Sequence, residues 1–88
     1  MVEVVEERDV ARGWEFLVRV GAAEHLVRMS WVDYEHWSRG GATPASVVAA
    51  VVGLMIDRGG PGSVPDRFDA ARVRRLHADA DEVLRERL

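Results

Sequence analysis

An α+β fold is predicted by three observations. Trp14–Val20 and His25–Met29 alternate apolar and polar side chains, as half-buried strands do. Val47–Ile56 is a run of ten residues without a polar side chain, set between the helix-start pair Thr43-Pro44 and the helix-stop pair Gly59-Gly60. Beyond it, Val73, Leu76, Ala80, Val83 and Leu84 recur at helical spacing. Strands come first and helices afterwards, the order of an α+β layout. The expectation is one domain over residues 1–88. It is a small antiparallel meander of three strands followed by three helices packed on one face, with the central helix buried.

Met1–Glu6 alternates weakly and suits an edge strand, and Glu7–Gly13 is a polar connection ending in glycine. In the next strand Trp14, Phe16, Val18 and Val20 share one face, with Glu15, Leu17 and Arg19 on the other. Gly21-Ala22-Ala23-Glu24 then reads as a loop, and His25–Met29 as a strand folding back. That hairpin would set Val20 opposite His25, Val18 opposite Val27 and Phe16 opposite Met29, with the large apolar residues on one face. Ser30-x-x-Asp33 fits a helix N-terminus with a reciprocal cap. Arg39-Gly40-Gly41-Ala42 ends that short helix.

The central helix is argued from its ends, because an uninterrupted apolar run fits a buried strand equally well. The Thr43 hydroxyl can accept an orphan amide hydrogen, and proline in the first turn loses nothing. A glycine after Asp57-Arg58 can take the left-handed conformation that closes the last turn. The helix is apolar nearly all round, and such helices are buried on most faces. Seven large side chains from Val47 to Ile56 would each gain roughly 1.5–3 kcal/mol by burial. Leaving half exposed would forfeit on the order of 5–10 kcal/mol, comparable to the net stability of a domain. Either this chain wraps the helix from two sides, or a second copy does part of it. Gly59–Pro65 is a loop, and Asp69 caps a last helix from Ala70 to about Arg87. Asp81 and Arg85 would pair on its outside, one turn apart.

Composition narrows the function classes. The apolar fraction of 48% and charged fraction of 31% are those of a globular protein, and the net charge of −3 argues against a general polyanion binder. Without cysteine there is no disulfide, thiolate metal site or cysteine nucleophile. No secretory signal is read at the acidic N-terminus. The apolar run is too short to cross a membrane, which takes about 20 residues. A prokaryotic cytoplasm is the expected setting.

Two resemblances follow from these elements. Trp14-x-Phe16-x-Val18-x-Val20, His25-x-Val27-x-Met29, Tyr34, Gly41-x-Thr43-Pro44, the apolar helix ending in Asp57-Arg58, and Phe68-Asp69-x-x-x-Val73 resemble a group of short prokaryotic proteins of unknown function. In that group a TPE-type helix follows a hairpin, and an FDL-type helix follows that. Ser46 and Ala70 stand here at the usual acidic and leucine positions. The resemblance implies a fold and carries no activity. Residues 25–58 are similar to the ribbon-helix-helix arrangement, also used by HicB-type antitoxins. There, strands from two chains pair and their outward side chains read the major groove. That resemblance implies DNA binding as a dimer, with Leu26 and Arg28 as the outward pair.

No catalytic constellation is legible. His25, His36 and His77 share no helix turn and show no metal-ligand spacing. His25 is expected to cap a strand end at the sheet rim. Asp33, Glu35, Asp79, Asp81 and Glu82 fall on expected solvent faces, whereas acid–base work needs carboxylates in contrasting environments inside a pocket. Gly59-Gly60-Pro61-Gly62-Ser63 leaves a helix rather than leading into one, and the chain has no lysine, so it is a connector and not a phosphate loop. No serine sits in a Gly-x-Ser-x-Gly elbow. No enzyme activity, cofactor or metal is expected.

Two interaction surfaces are candidates. Arg58, Arg67, Arg72, Arg74 and Arg75 face three aspartates between Asp57 and Arg75, a local balance of +2, while the first nine residues balance to −3. Trp31, Tyr34 and Trp37 on one short helix form either a lid on the core or a docking patch. The expected function is that of a small non-enzymatic binding or scaffold protein. It would associate with itself, as a dimer, through apolar helix surface. A DNA-binding regulator of the ribbon-helix-helix or HicB kind is the alternative.

Overall fold

A computed structural model describes residues 2–39 and 41–88. The expected strand start at Met1 and the expected helix break at Gly40 lie outside the described residues. The chain runs β1 (Val2–Val10), β2 (Gly13–Val20), β3 (Ala23–Ser30), α1 (Trp31–Ser38) and α2 (Pro44–Gly59). A single 3-10 turn, Pro61–Ser63, leads to β4 (Arg67–Asp69), α3 (Arg72–Leu76) and α4 (Ala80–Arg87). It is an α+β fold, and its sheet is four-stranded in the order β1-β2-β3-β4.

The sheet departs from a three-stranded antiparallel meander at its far edge. β4 lies parallel to β3, with Val27 opposite Phe68. The amide of Leu26 donates to the carbonyl of Asp66 at 2.8 Å, and the amide of Ala70 donates to Arg28 at 2.7 Å. The segment expected to begin the last helix therefore extends the sheet first. One apolar residue between two charged ones is too short a pattern to announce a strand. The Asp69 side chain accepts from the Ala71 amide at 2.9 Å, a local turn and not a helix cap. The remainder is two helices rather than one, broken over residues 77–79.

β1 is longer than expected and reaches Val10, and β3 spans Ala23–Ser30. The β2–β3 loop holds only Gly21 and Ala22, so Val18 faces His25, Phe16 faces Val27 and Trp14 faces Met29. The register is two residues away from the expected one, and the faces are the same. Gly21, at a φ of 59°, takes the first loop position, where tight hairpins need positive φ.

Two of the three expected helix starts carry their caps. Ser30 Oγ accepts from the Asp33 amide at 3.1 Å, and Thr43 Oγ1 accepts from the Ser46 amide at 3.2 Å. α2 lies against β1, β2, α1 and α4. Val47, Val48, Val51, Val52, Leu54 and Met55 are all buried by this chain alone, together with Phe16, Val18, Val27 and Met29 of the sheet. Of the two ways of hiding α2, wrapping by its own chain accounts for six of its seven large side chains. Ala49, Ala50, Gly53 and Ile56 stay half-buried. No helix among the described residues is long and apolar enough to cross a membrane.

Candidate functional site

The helices cover one face of the sheet, and the other face has no helical cover. Its residues follow from the pairing. One row across the strands reads Arg8, Glu15, Arg28, Asp69; the next reads Glu6, Leu17, Leu26, Arg67; a third reads Glu3, Arg19, Glu24. The middle row exists because of a bulge between Val4 and Glu6. Regular alternation from Val2 and Val4 would put Glu6 on the helix side. The extra residue moves it to the open face, opposite Leu17.

The rows differ in how their charges are satisfied. Glu15 is only 6% exposed, although it faces away from the core. It accepts a hydrogen bond from Arg8, and the Arg28 guanidinium lies 3.7 Å from its other oxygen. Arg19 pairs with Glu3 at 3.5 Å and Glu24 at 3.2 Å. Such pairs between neighbouring strands contribute roughly 0.2–1 kcal/mol each. The side chains of Glu6 and Arg67 hold no ion pair or hydrogen bond among the described residues. They stand at the two ends of their row with the half-buried Leu17 and Leu26 between them. Together with Arg8, Glu15 and Arg28 these four line a shallow trough of about 390 Å³.

The sequence-predicted interaction residues do not form one surface. Of the aromatic trio, Trp31 is 52% exposed and is followed by Val32 at 76%. Tyr34 is half-buried, with its hydroxyl donating to the Ala42 carbonyl at 2.6 Å and its ring edge-on to Trp14. Trp37 is 1% exposed and belongs to the core. At about 100° per residue, the first and last of the trio sit roughly 120° apart around the helix, so one face cannot present both.

The arginine cluster divides likewise. Arg58 grips Asp79 through two bonds of 2.6 and 2.8 Å, and this ion pair holds the Asp79 carboxyl down to about 2. Arg74 joins three helices. It reaches Asp33 of α1 at 2.7 Å and Asp81 of α4 at 2.8 Å, and its guanidinium lies 4.7 Å from the centre of the Trp37 ring. Arg67 belongs to the open sheet face, and Arg72 and Arg75 flank the exposed Leu76. Asp33 and Asp81 are thus cross-links between helices rather than solvated charges. Asp81 bonds to Arg74, Trp37 and His36, and the expected pair with Arg85 is replaced. Arg85 instead donates to the His36 carbonyl at 3.3 Å and lies against the His36 ring.

His25 is 4% exposed rather than at a rim. Its Nδ1–H donates to the Pro65 carbonyl at 2.7 Å and ties β3 to the approach of β4, while Nε2 has no partner among the described residues. No cluster of three or more metal-binding side chains occurs among the described residues.

Comparison with known proteins returns no match: no family model, no curated protein and no solved structure aligns with the chain. A functional reading therefore rests on the geometry alone. For the ribbon-helix-helix resemblance that geometry is specific. Leu26 and Arg28 do point to the open face, but β3 is paired with β2 on one edge and β4 on the other. A ribbon shared between two chains needs a free edge on that strand.

Proposed function

We propose that this chain is a small non-enzymatic binding or scaffold protein that associates with a second copy of itself, in a prokaryotic cytoplasm. The observation that carries the reading is the open sheet face. A sheet with helices on one side commonly leaves its other face to water, and such a face is usually polar. This one sets two leucines in a charged trough and leaves the Glu6 and Arg67 side chains without partners among the described residues. Six of the seven large side chains of α2 are hidden within the chain, so the proposed contact moves from helix surface to the sheet.

The DNA-binding alternative has weaker support. The open face carries five acids against four arginines across its three charged rows, and β3 offers no free edge. A gel shift at low salt, where phosphate contacts are strongest, tests it. Sedimentation equilibrium tests the favoured reading. Reversible self-association above roughly 10 μM is expected, and a strict monomer up to about 1 mM overturns it.

A further inference from the structure

We infer that two copies dock sheet to sheet through these open faces, about a two-fold axis that runs parallel to the strands between β2 and β3. The inference rests on the self-association proposed above and names its surface and geometry.

Charge complementarity selects this geometry. A two-fold axis along the strands leaves each row in place and exchanges its ends. Glu6 then faces Arg67 of the second copy, and Leu17 faces Leu26. In the adjacent row Arg8 meets Asp69 and Glu15 meets Arg28; in the third, Arg19 meets Glu24. Every charge on the face meets its opposite except Glu3, whose row has no residue on β4. The other in-plane axis, perpendicular to the strands through the leucine row, sets Glu6 on Glu6 and Arg67 on Arg67. Like charges directly opposed are costly, so the face distinguishes the two symmetries.

The leucine row decides more than the others. The rows of Glu15 and Arg19 already hold partners within the chain. Glu6 and Arg67 lie three strand spacings apart, about 14 Å, too far to meet each other. Only a second copy brings each one its opposite. Stacked sheets pack about 10 Å apart, a gap that opposed leucines fill. The acidic free edge of β1, by contrast, would set Glu3, Glu6, Glu7 and Asp9 against their own kind and is unsuited to edge-to-edge pairing.

Four strands by three rows make a face of about 400 Å² per copy, or about 800 Å² in all. That is the size of a weak, transient interface, so a dissociation constant of roughly 10–100 μM is expected. Association weakens with added salt, the reverse of what a purely apolar contact would do.

The test is a charge swap read by sedimentation equilibrium, with circular dichroism confirming that each variant is folded. Glu6→Arg alone and Arg67→Glu alone each weaken dimerisation by roughly tenfold or more, because each places two like-charged pairs in the dimer. The double variant Glu6→Arg/Arg67→Glu restores it, and so does mixing the two single variants in equal amounts. If the wild type dimerises but neither single variant weakens it, or if the double variant and the mixture fail to recover, the sheet-to-sheet geometry is overturned while self-association stands. If the wild type stays monomeric up to about 1 mM, self-association and its surface fall together.

Discussion

The indole Nε1 of Trp37 donates to Oδ1 of Asp81 at 2.7 Å, across 44 residues of chain. Arg74 donates to the same oxygen at 2.8 Å and lays its guanidinium over the indole ring. One carboxylate and one aromatic ring therefore hold α1, α3 and α4 together. Trp37→Phe keeps most of the buried area and the ring face, and removes only the donor. A loss of about 1–2 kcal/mol is expected, measured by urea denaturation, since the bond is to a charged acceptor that keeps other partners.

Arg74→Ala should cost more, roughly 1.5–3 kcal/mol. It takes away the partner of Asp33 and one partner of Asp81, together with the contact to the Trp37 ring. Arg74→Lys restores the charge but not the planar fork, and is expected to recover only part of the loss. The same denaturation curves, with an unchanged slope, check both.

The acid limb of stability follows from the same cluster. Burial opposes the charge on Asp81, but hydrogen bonds from Trp37 and Arg74 outweigh it and hold the carboxyl down to about 2. The Arg58 pair does the same for Asp79. Both carboxyls take up protons less readily in the folded chain than in the unfolded one. Their stabilising effect is therefore complete above about pH 4 and is lost as pH falls from about 4 to about 2. Melting temperatures from pH 6 to pH 2 should drop through that window. Asp81→Asn, less stable at neutral pH, should fall less steeply, so that the two curves converge.

Gly13 opens β2 directly beneath β3. A Cβ there would lie 2.3 Å from the Met29 carbonyl oxygen and 3.0 Å from the Ser30 Cα. Both are backbone atoms of the paired strand and cannot step aside. Gly13→Ala is expected to cost roughly 2–3 kcal/mol. By contrast, Gly62→Ala meets nothing within 4 Å and should be close to neutral, as paired thermal melts would show.

Leu54 and Trp31 separate core from surface. Leu54 is fully buried on α2, and Leu54→Ala should cost about 2–5 kcal/mol through lost burial and the cavity left behind. Trp31 is half exposed at the start of α1. Trp31→Ala should change stability by no more than about 1 kcal/mol, and its fluorescence contribution should report a wet indole where that of Trp37 reports a dry one.

Much of this architecture was legible because its signals are local. Thr43-Pro44 and Ser30-x-x-Asp33 announce helix starts with their own side chains, and both caps are present. The alternation from Trp14 to Val20 specifies which side chains face the core. It could not specify the hairpin register, since slipping by two residues keeps every side chain on the same face. Only the two-residue turn at Gly21-Ala22 chose the actual pairing. β4 escaped notice because three residues have no period, and its hydrogen-bond partners are forty residues away in β3. Nearness in the chain makes the candidate arginines and aromatics look like patches. Their placement on opposite sides of helices and on a sheet edge dispersed them.

By itself the sequence determined much of the composition of the layers: the two central strands, the short and the central helix, and which side chains are apolar enough to be hidden. Tertiary structure alone decided the open face. A bulge of one residue turned Glu6 outward, a parallel strand brought Arg67 to the far edge, and two leucines came between them. Burial free energy is additive along a chain and can be read from residue types. Charge complementarity depends on which residues lie side by side, and only the folded sheet sets that.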